Sequence, residues 1–474
     1  MNSTLTFFAL VLAAVIILVV PGLVTPFAPL YGKVTVFDGA KAVLLCSAMA
    51  ALVGWFVSRN ESSSFLIKLF LAGLLLRVLI GTAIFITNGQ DFFGGDAWTY
   101  DFEGQYQLAA WGGDKFAASQ VATFVGKGEG SGWGMIYFVA AIYGLVGRNL
   151  LAIQLVNAVV GAVTAVIIFL CAQEVFANSR VARLAGFAVA FYPSLVLWSS
   201  QGLKDAPIVF LLALSILATL RLGNKFSVKW ISVLVVSLFG LLSLRFYVFY
   251  MMVVAVGGAF LIGTRAITAQ SFLRQFVVIV VMGLALTYMG VTRYANVQFD
   301  NFASMEAMQR SRLDAAKSAQ SGFGKDVDVS TTTGALTTIP VGLLYLLFAP
   351  FPWQLASLRQ SITLPEMVIW WASFPMLILG LWFSIRYRLR QISPILVFSV
   401  MLSLAYSVFQ GNVGTAYRQR AQLLVFYFIF VAVGYVLMQE KREDRKRLEV
   451  LARKEIAAKP IASSLAGRSS SPQV

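Results

Sequence analysis

Four carboxylates crowd one stretch of this 474-residue chain: Asp91, Asp96, Asp101 and Glu103 all fall between Asn88 and Gly104, just after an apolar run. Asp96 is followed by Trp98, Tyr100 and Tyr106, which sets a carboxylate beside aromatic faces of the kind on which sugars stack. Gly94 and Gly95 allow a tight turn with close backbone approach to a ligand. The plainer reading of the same residues is a solvated loop in which Asp96 caps a helix. A divalent cation held by Asp91 and Asp101 is the one cofactor these carboxylates would admit. Cations gather in three other places. Lys204 and Asp205 lie in a short polar interval between apolar runs, where Lys204 suits a phosphate headgroup and Asp205 could orient it; alternatively Lys204 snorkels and Asp205 caps the helix before Pro207. Arg245 interrupts two apolar runs, and Arg418 and Arg420 close the short interval 410–420. Binding an anion is the natural use of such arginines.

The chain has no histidine, which removes the usual general base and the commonest metal ligand. Acid–base chemistry falls to Asp, Glu, Lys or Tyr. The two cysteines, Cys46 and Cys171, lie in apolar runs, so a disulfide framework or a Cys metal cluster is not expected.

The elements that must position these residues are membrane helices. Hydrophobic residues make up 59% of the chain and charged residues only 12%, about half the charged fraction of a soluble domain. Spans need about 20 mostly apolar residues, and twelve candidates recur at about 5–24, 39–58, 67–87, 150–171, 185–199, 206–220, 229–244, 247–264, 275–292, 367–385, 393–410 and 421–438. The first reads as an uncleaved span, since no basic residue precedes it and no cleavage pattern follows. Apolar stretches near 134–147 and 336–351 read as re-entrant or interfacial helices. The expected fold is an all-α polytopic bundle, 1–438, with outer loops at about 88–133 and 293–366, followed by a basic tail, 439–474. The positive-inside bias puts both termini in the cytoplasm and the net charge of +16 mostly on that side, so it signals orientation in the lipid bilayer and no nucleic-acid partner. The outer face then carries Asp96, Lys204, Arg245, Arg418 and Arg420. Arg77 falls halfway along a span and must pair inside the bundle, unless the span boundaries are misplaced.

The acidic first loop with Gly95-Asp96 and Tyr100, the stretch 134–147, the segment from Tyr192-Pro193 to Lys204-Asp205 and the late Arg pair together resemble the GT-C superfamily of integral membrane glycosyltransferases. Its members include protein O-mannosyltransferases and lipid A aminoarabinose transferases. The resemblance covers about residues 65–220. It implies a cell (inner) membrane enzyme that transfers a sugar from a polyprenyl-phosphate donor to a glycan, lipid or protein acceptor at the extracytoplasmic face, by inversion. In that family a first-loop Asp is the proposed base, which falls on Asp96, and basic residues hold the lipid phosphate, which implicates Lys204, Arg418, Arg420 and Arg245. The chain departs from the family in having two spans before the span that leads into the acidic loop, and no soluble domain after the last span. Two other readings remain: a lipid-linked oligosaccharide polymerase or ligase centred on 293–366, and a transporter or flippase built on paired broken helices.

Overall fold

Lipid offers no partner to backbone N–H and C=O groups, so a chain of this composition satisfies them within helices. The computed structural model describes residues 36–466 apart from 88, 94, 128–131, 263–268, 292–303, 319–320, 325–326 and 356–357, and no strand occurs among the described residues. The span expected at 5–24, Gly94 and the end of the tail lie outside them.

Helices α1 (Val36–Ser58) and α2 (Ser63–Ile86) lead into a polar region that is itself helical: α3 (Asp96–Trp111), α4 (Lys115–Lys127) and α5 (Trp133–Val146). Helix α6 (Leu150–Phe176) is the most thoroughly buried of the described spans. Next come α7 (Ser179–Phe191) and α8 (Pro193–Ser199), bent by 55°. The bend has a sequence cause: Pro193 lacks an N–H and steers the residue before it out of the helical region, and Tyr192 is extended at φ −65°, ψ 125°. Helix α9 (Asp205–Asn224) follows, then α10 (Val228–Leu244) and α11 (Phe246–Ile262), which are separated by Arg245 alone. The chain continues through α12 (Ala269–Tyr288), α13 (Met305–Ser318), α14 (Thr332–Phe348), the single turn α15 (Leu358–Ser361), α16 (Leu364–Phe409), α17 (Val413–Gln419) and α18 (Ala421–Ala466). Helix α18 runs unbroken from the bundle into the basic tail, where Glu443 pairs with Arg180 at 3.3 Å.

The all-α membrane bundle is as expected, but the count of twelve spans is not reproduced. Six described helices are long and apolar enough to cross a membrane, seven if α7 and α8 form one span. The segments expected at 229–244 and 247–264 are helices of 17 residues each. Those expected at 367–385 and 393–410 fall on either side of a kink at Arg388 (φ −134°, ψ 18°), which divides the 46 residues of α16 into two helices. At about 1.5 Å per residue the whole stretch is roughly twice as long as a hydrocarbon core is thick. The stretches 134–147 and 336–351 correspond to α5 and α14.

Close backbone approach holds the late helices together. A Cβ on Gly380 of α16 would overlap the Phe430 carbonyl oxygen of α18, and one on Gly434 would overlap that of Met376. Small residues let membrane helices meet in this way. Gly434→Val should therefore cost about 1–3 kcal/mol through overpacking and lower the unfolding midpoint in detergent, whereas Gly257→Val, with nothing within 4 Å of its Cβ position, should leave it unchanged. Equal midpoints for the two variants would refute the close crossing.

Candidate active site

Helix periodicity sorts the acidic stretch into two faces. Positions 96, 100 and 103 are spaced i, i+4, i+7 and share one side of α3. Asp96 and Tyr100 line a cavity of about 880 Å³. The buried face of the same helix carries Ala97, Asp101, Gly104 and Gln107. Asp101 is spent there: its carboxylate pairs with Arg148 at 2.5 Å and accepts from the Tyr143 hydroxyl. Asp91 accepts from Trp98 Nε1 at 2.9 Å. Asp101 is therefore occupied, and among the described residues no group of three or more His, Cys, Asp or Glu side chains could hold a metal ion. The divalent-cation expectation does not fit this geometry. Asp96 is the first residue of α3 and makes no side-chain cap; its negative charge in the first turn matches the helix dipole.

The cavity gathers residues that are remote in sequence. Lys204, Arg245 and Arg418 line it together with Asp96 and Tyr100. Arg418, in the last turn of α17, joins two carboxylates. Its Nε and Nη2 each lie 2.6 Å from Asp205 Oδ2, and its Nη1 lies 2.6 Å from Asp96 Oδ2. Asp205 is 2% exposed and Asp96 is 53% exposed at the side chain, so the two ends of this bridge differ: one is locked in the wall, the other opens to the cavity. Arg245 approaches Asp205 Oδ1 at 3.8 Å and donates to the Tyr406 hydroxyl at 3.5 Å.

Electrostatics follow from burial. Burial opposes the charge of Arg418, but Asp205 and Asp96 more than restore it, so the guanidinium stays protonated. The Tyr100 hydroxyl is pushed up, first by burial and then by Asp96, so it remains a neutral donor. Burial also raises the carboxyl of Glu103. Lys204 is pushed down to about 8, first by burial and then by Arg245, with Asp205 and Asp96 acting the other way. Its ammonium lies 5.9 Å from the centre of the Tyr100 ring. A cation destabilised by burial and by neighbouring guanidinium groups is stabilised by any anion that enters the cavity.

Arg420 does not join this group. It is 1% exposed, donates to the Ala349 carbonyl and lies 3.1 Å from Met367 Sδ. Two residues along a helix rotate a side chain by about 200°, so Arg418 and Arg420 point in nearly opposite directions. Arg420 pins the turn between α17 and α18 to the end of α14. Trp198, Tyr417, Arg359 and Gln360 are among the further cavity residues that had no assigned role. Trp198 falls within the Tyr192 to Pro207 segment already singled out. Arg359 gave no sequence signal, because its neighbours are the Phe92 ring, 5.5 Å away, and the Asp91 carbonyl at 3.5 Å, both far off in the chain.

Residues 133–290, from α5 to the end of α12 and including Lys204, Asp205 and Arg245, match the dolichyl-phosphate-mannose-protein mannosyltransferase family. The resemblance to the GT-C superfamily stands. No curated relative matches the chain by sequence. Among solved structures, the chain is similar to ArnT from Cupriavidus metallidurans bound to undecaprenyl phosphate, with 16% identity over 64% of this chain and 49% of that one and a TM-score of 0.41. It is similar to the archaeal oligosaccharyltransferase AglB from Archaeoglobus fulgidus in complex with an inhibitory peptide and a dolichol-phosphate, with 12% identity over 68% and 44% and a TM-score of 0.41. The Archaeoglobus fulgidus oligosaccharyltransferase in the apo form gives 12% identity over 80% and 52%, with a TM-score of 0.43. The chain spans about half the length of these proteins. Likeness at this level transfers no residue role.

The position of Lys204 generates a pH prediction. Its charge is present below about 8 and lost above, so affinity for undecaprenyl phosphate, used as an anionic lipid probe, should fall as pH rises through that value. Lys204→Arg should abolish the fall, since guanidinium stays protonated above pH 12. Constant affinity of the unaltered protein from about pH 7 to pH 10 would show that Lys204 carries none of the binding.

Proposed function

We propose that this protein is a membrane glycosyltransferase that takes a sugar from a polyprenyl-phosphate donor and passes it, with inversion, to a glycan, lipid or protein acceptor at the extracytoplasmic face. The observation that carries the reading is that Asp96, Lys204, Arg245 and Arg418 line one cavity, with a free carboxylate edge and a cation under-supplied with anions side by side. The positive-inside pattern of the basic loops supports the outward orientation, with the helix beyond Met438 as a basic cytoplasmic tail.

The chemistry needs three things, and each has a residue. A hydroxyl of the acceptor attacks the anomeric carbon; its proton passes to the Asp96 carboxylate as the C–O bond to the phosphate breaks. The departing polyprenyl phosphate keeps the bonding electrons, and Lys204 and Arg418 stabilise its charge. Arg245 and Asp205 hold Arg418 in place. The Asp96–Arg418 contact has a role in this sequence. A donor phosphate competes with Asp96 for the exposed side of the guanidinium, so donor binding releases the carboxylate that the acceptor needs. Single displacement with one carboxylate base gives inversion.

The 293–366 region also reaches the cavity, through Pro350, Arg359 and Gln360, which keeps a polymerase or ligase of lipid-linked oligosaccharides as the second reading. Elongation of a lipid-linked chain, in place of single transfer, would favour it.

Asp96→Asn should lower turnover of a lipid-linked sugar donor by about 10²–10⁴-fold, the range of general-base catalysis, with donor affinity unchanged or tighter. Lys204→Ala should instead weaken donor affinity. Wild-type turnover by purified Asp96→Asn removes Asp96 as the base, and translocation of labelled donor lipid without any glycosyl product replaces the transferase reading with a flippase.

A further inference from the structure

Arg77 lies halfway along α2, is 1% exposed, and has no part in the reaction described above. A cation inside a membrane bundle is costly unless its donors are met. Here every donor nitrogen has a partner: Nε donates to Ser199 Oγ at 2.8 Å, Nη1 to the Gly73 and Ala190 carbonyls at 3.0 and 2.7 Å, and Nη2 to the Val189 carbonyl at 3.2 Å. Val189 and Ala190 belong to the last turn of α7. Their carbonyls are among those whose helical partners disappear where Pro193 breaks the chain, and a cation there meets the negative end of the helix dipole. Ser199 is the last residue of α8. One guanidinium therefore fixes the start of the bend and the end of the short helix beyond it, five residues before Lys204.

The neighbours are shaped around this contact. A Cβ on Gly161 would overlap the Ser199 side chain and lie 2.9 Å from Arg77 Nε. Asn157 of α6 donates to the Gln201 and Leu203 carbonyls at 2.7 and 2.8 Å, holding the chain between α8 and Lys204. A second cavity, of about 20 Å³, is lined by Arg77, Trp198, Ser199 and Asp205. Trp198 Nε1 and Asp205 Oδ1 both lack a hydrogen-bond partner among the described residues. That volume and that lining suit one water molecule, which would tie the Asp205 carboxylate to the same staple from below.

We infer that Arg77 is a positioning residue for the anion cradle: by holding the α7–α8 bend it sets where Lys204 and Asp205 stand, and through Asp205 the direction of Arg418, without itself touching the lipid phosphate. The inference rests on the reading of Lys204 as a phosphate ligand. The test is a double-mutant cycle on the full chain, with undecaprenyl phosphate as the probe and unfolding midpoints measured alongside. Arg77→Lys keeps the charge but loses the fork. It should weaken binding about ten-fold, the scale of charged hydrogen bonds lost. In the Lys204→Ala background the same change should weaken binding clearly less than in the unaltered chain, the remainder being the part that acts through Asp205 and Arg418, because groups that act through one another are not additive. A merely structural role would lower affinity equally in both backgrounds, and that result, or unchanged binding by Arg77→Lys, overturns the inference. If Lys204→Ala alone leaves binding intact, the phosphate reading itself has failed and the inference falls with it. Should Arg77→Lys not fold, Ser199→Ala enters the same cycle with the same expected pattern.

Discussion

Burying the Asp205 carboxylate strips its hydration, a loss that only surrounding cations and donors can offset. Arg418 supplies two contacts at 2.6 Å and Arg245 approaches from the other side at 3.8 Å. The placement of Asp205 at the first residue of α9 adds the positive end of that helix. Everything at the cavity depends on this one carboxylate. Because Arg418 is anchored by it, α17 is held against α9, and the remaining nitrogen of the guanidinium is free to reach Asp96 at the start of α3. Three chain segments separated by more than a hundred residues each are thereby fixed relative to one another. An exposed ion pair could not do this, since it contributes little and exchanges readily.

The same anchoring leaves in the cavity a cation that an anion would stabilise. The two arginines are balanced by Asp205 in the wall and by Asp96 on the open side. Lys204 is left half-buried between them, with its charge disfavoured by burial and by Arg245. Binding a phosphate would relieve Lys204 and draw on the outward-facing nitrogen of Arg418. On the proposed reading, the cost of holding these cations together would be recovered on binding a phosphate, which is the usual logic of a preorganised charge site.

Much of this was legible in the sequence because it rests on composition and parity. The apolar runs dictate helices, and counting them puts residues 96, 204, 245 and 418 at the same end of the bundle, where the cavity unites them. What was not legible has physical causes. The stretch from Asp96 to Trp111 buries small and polar residues, Ala97, Asp101, Gly104 and Gln107, so it shows no apolar stripe and reads as a loop; only its helical phase separates Asp101 from Asp96. Arg418 and Arg420 look equivalent in a string of letters and diverge by about 200° on a helix. The count of twelve spans is not confirmed, although the breaks at Arg245, between α10 and α11, and at Arg388, within α16, fall between the expected segments. Arg77 was predicted to pair inside the bundle and does so, but with backbone carbonyls freed by a proline more than a hundred residues away.

A chain without histidine must place its proton acceptor on another group, and burial discriminates among the carboxylates near the cavity. Asp101 is held by Arg148 and Tyr143, and Asp91 accepts from Trp98. Glu366 is buried and accepts from Tyr417 at 2.8 Å. Asp205 is enclosed by arginines. Asp101, Glu366 and Asp205 would each have to surrender a structural bond before taking a proton, and Asp91 is not among the residues that line the cavity. Asp96 alone among them combines a place on the cavity wall with 53% exposure and with a partner, Arg418, that an incoming phosphate can draw away. On the proposed reading the anchor and the base are both aspartates bound to one arginine, and what distinguishes them is which of the two the solvent can reach.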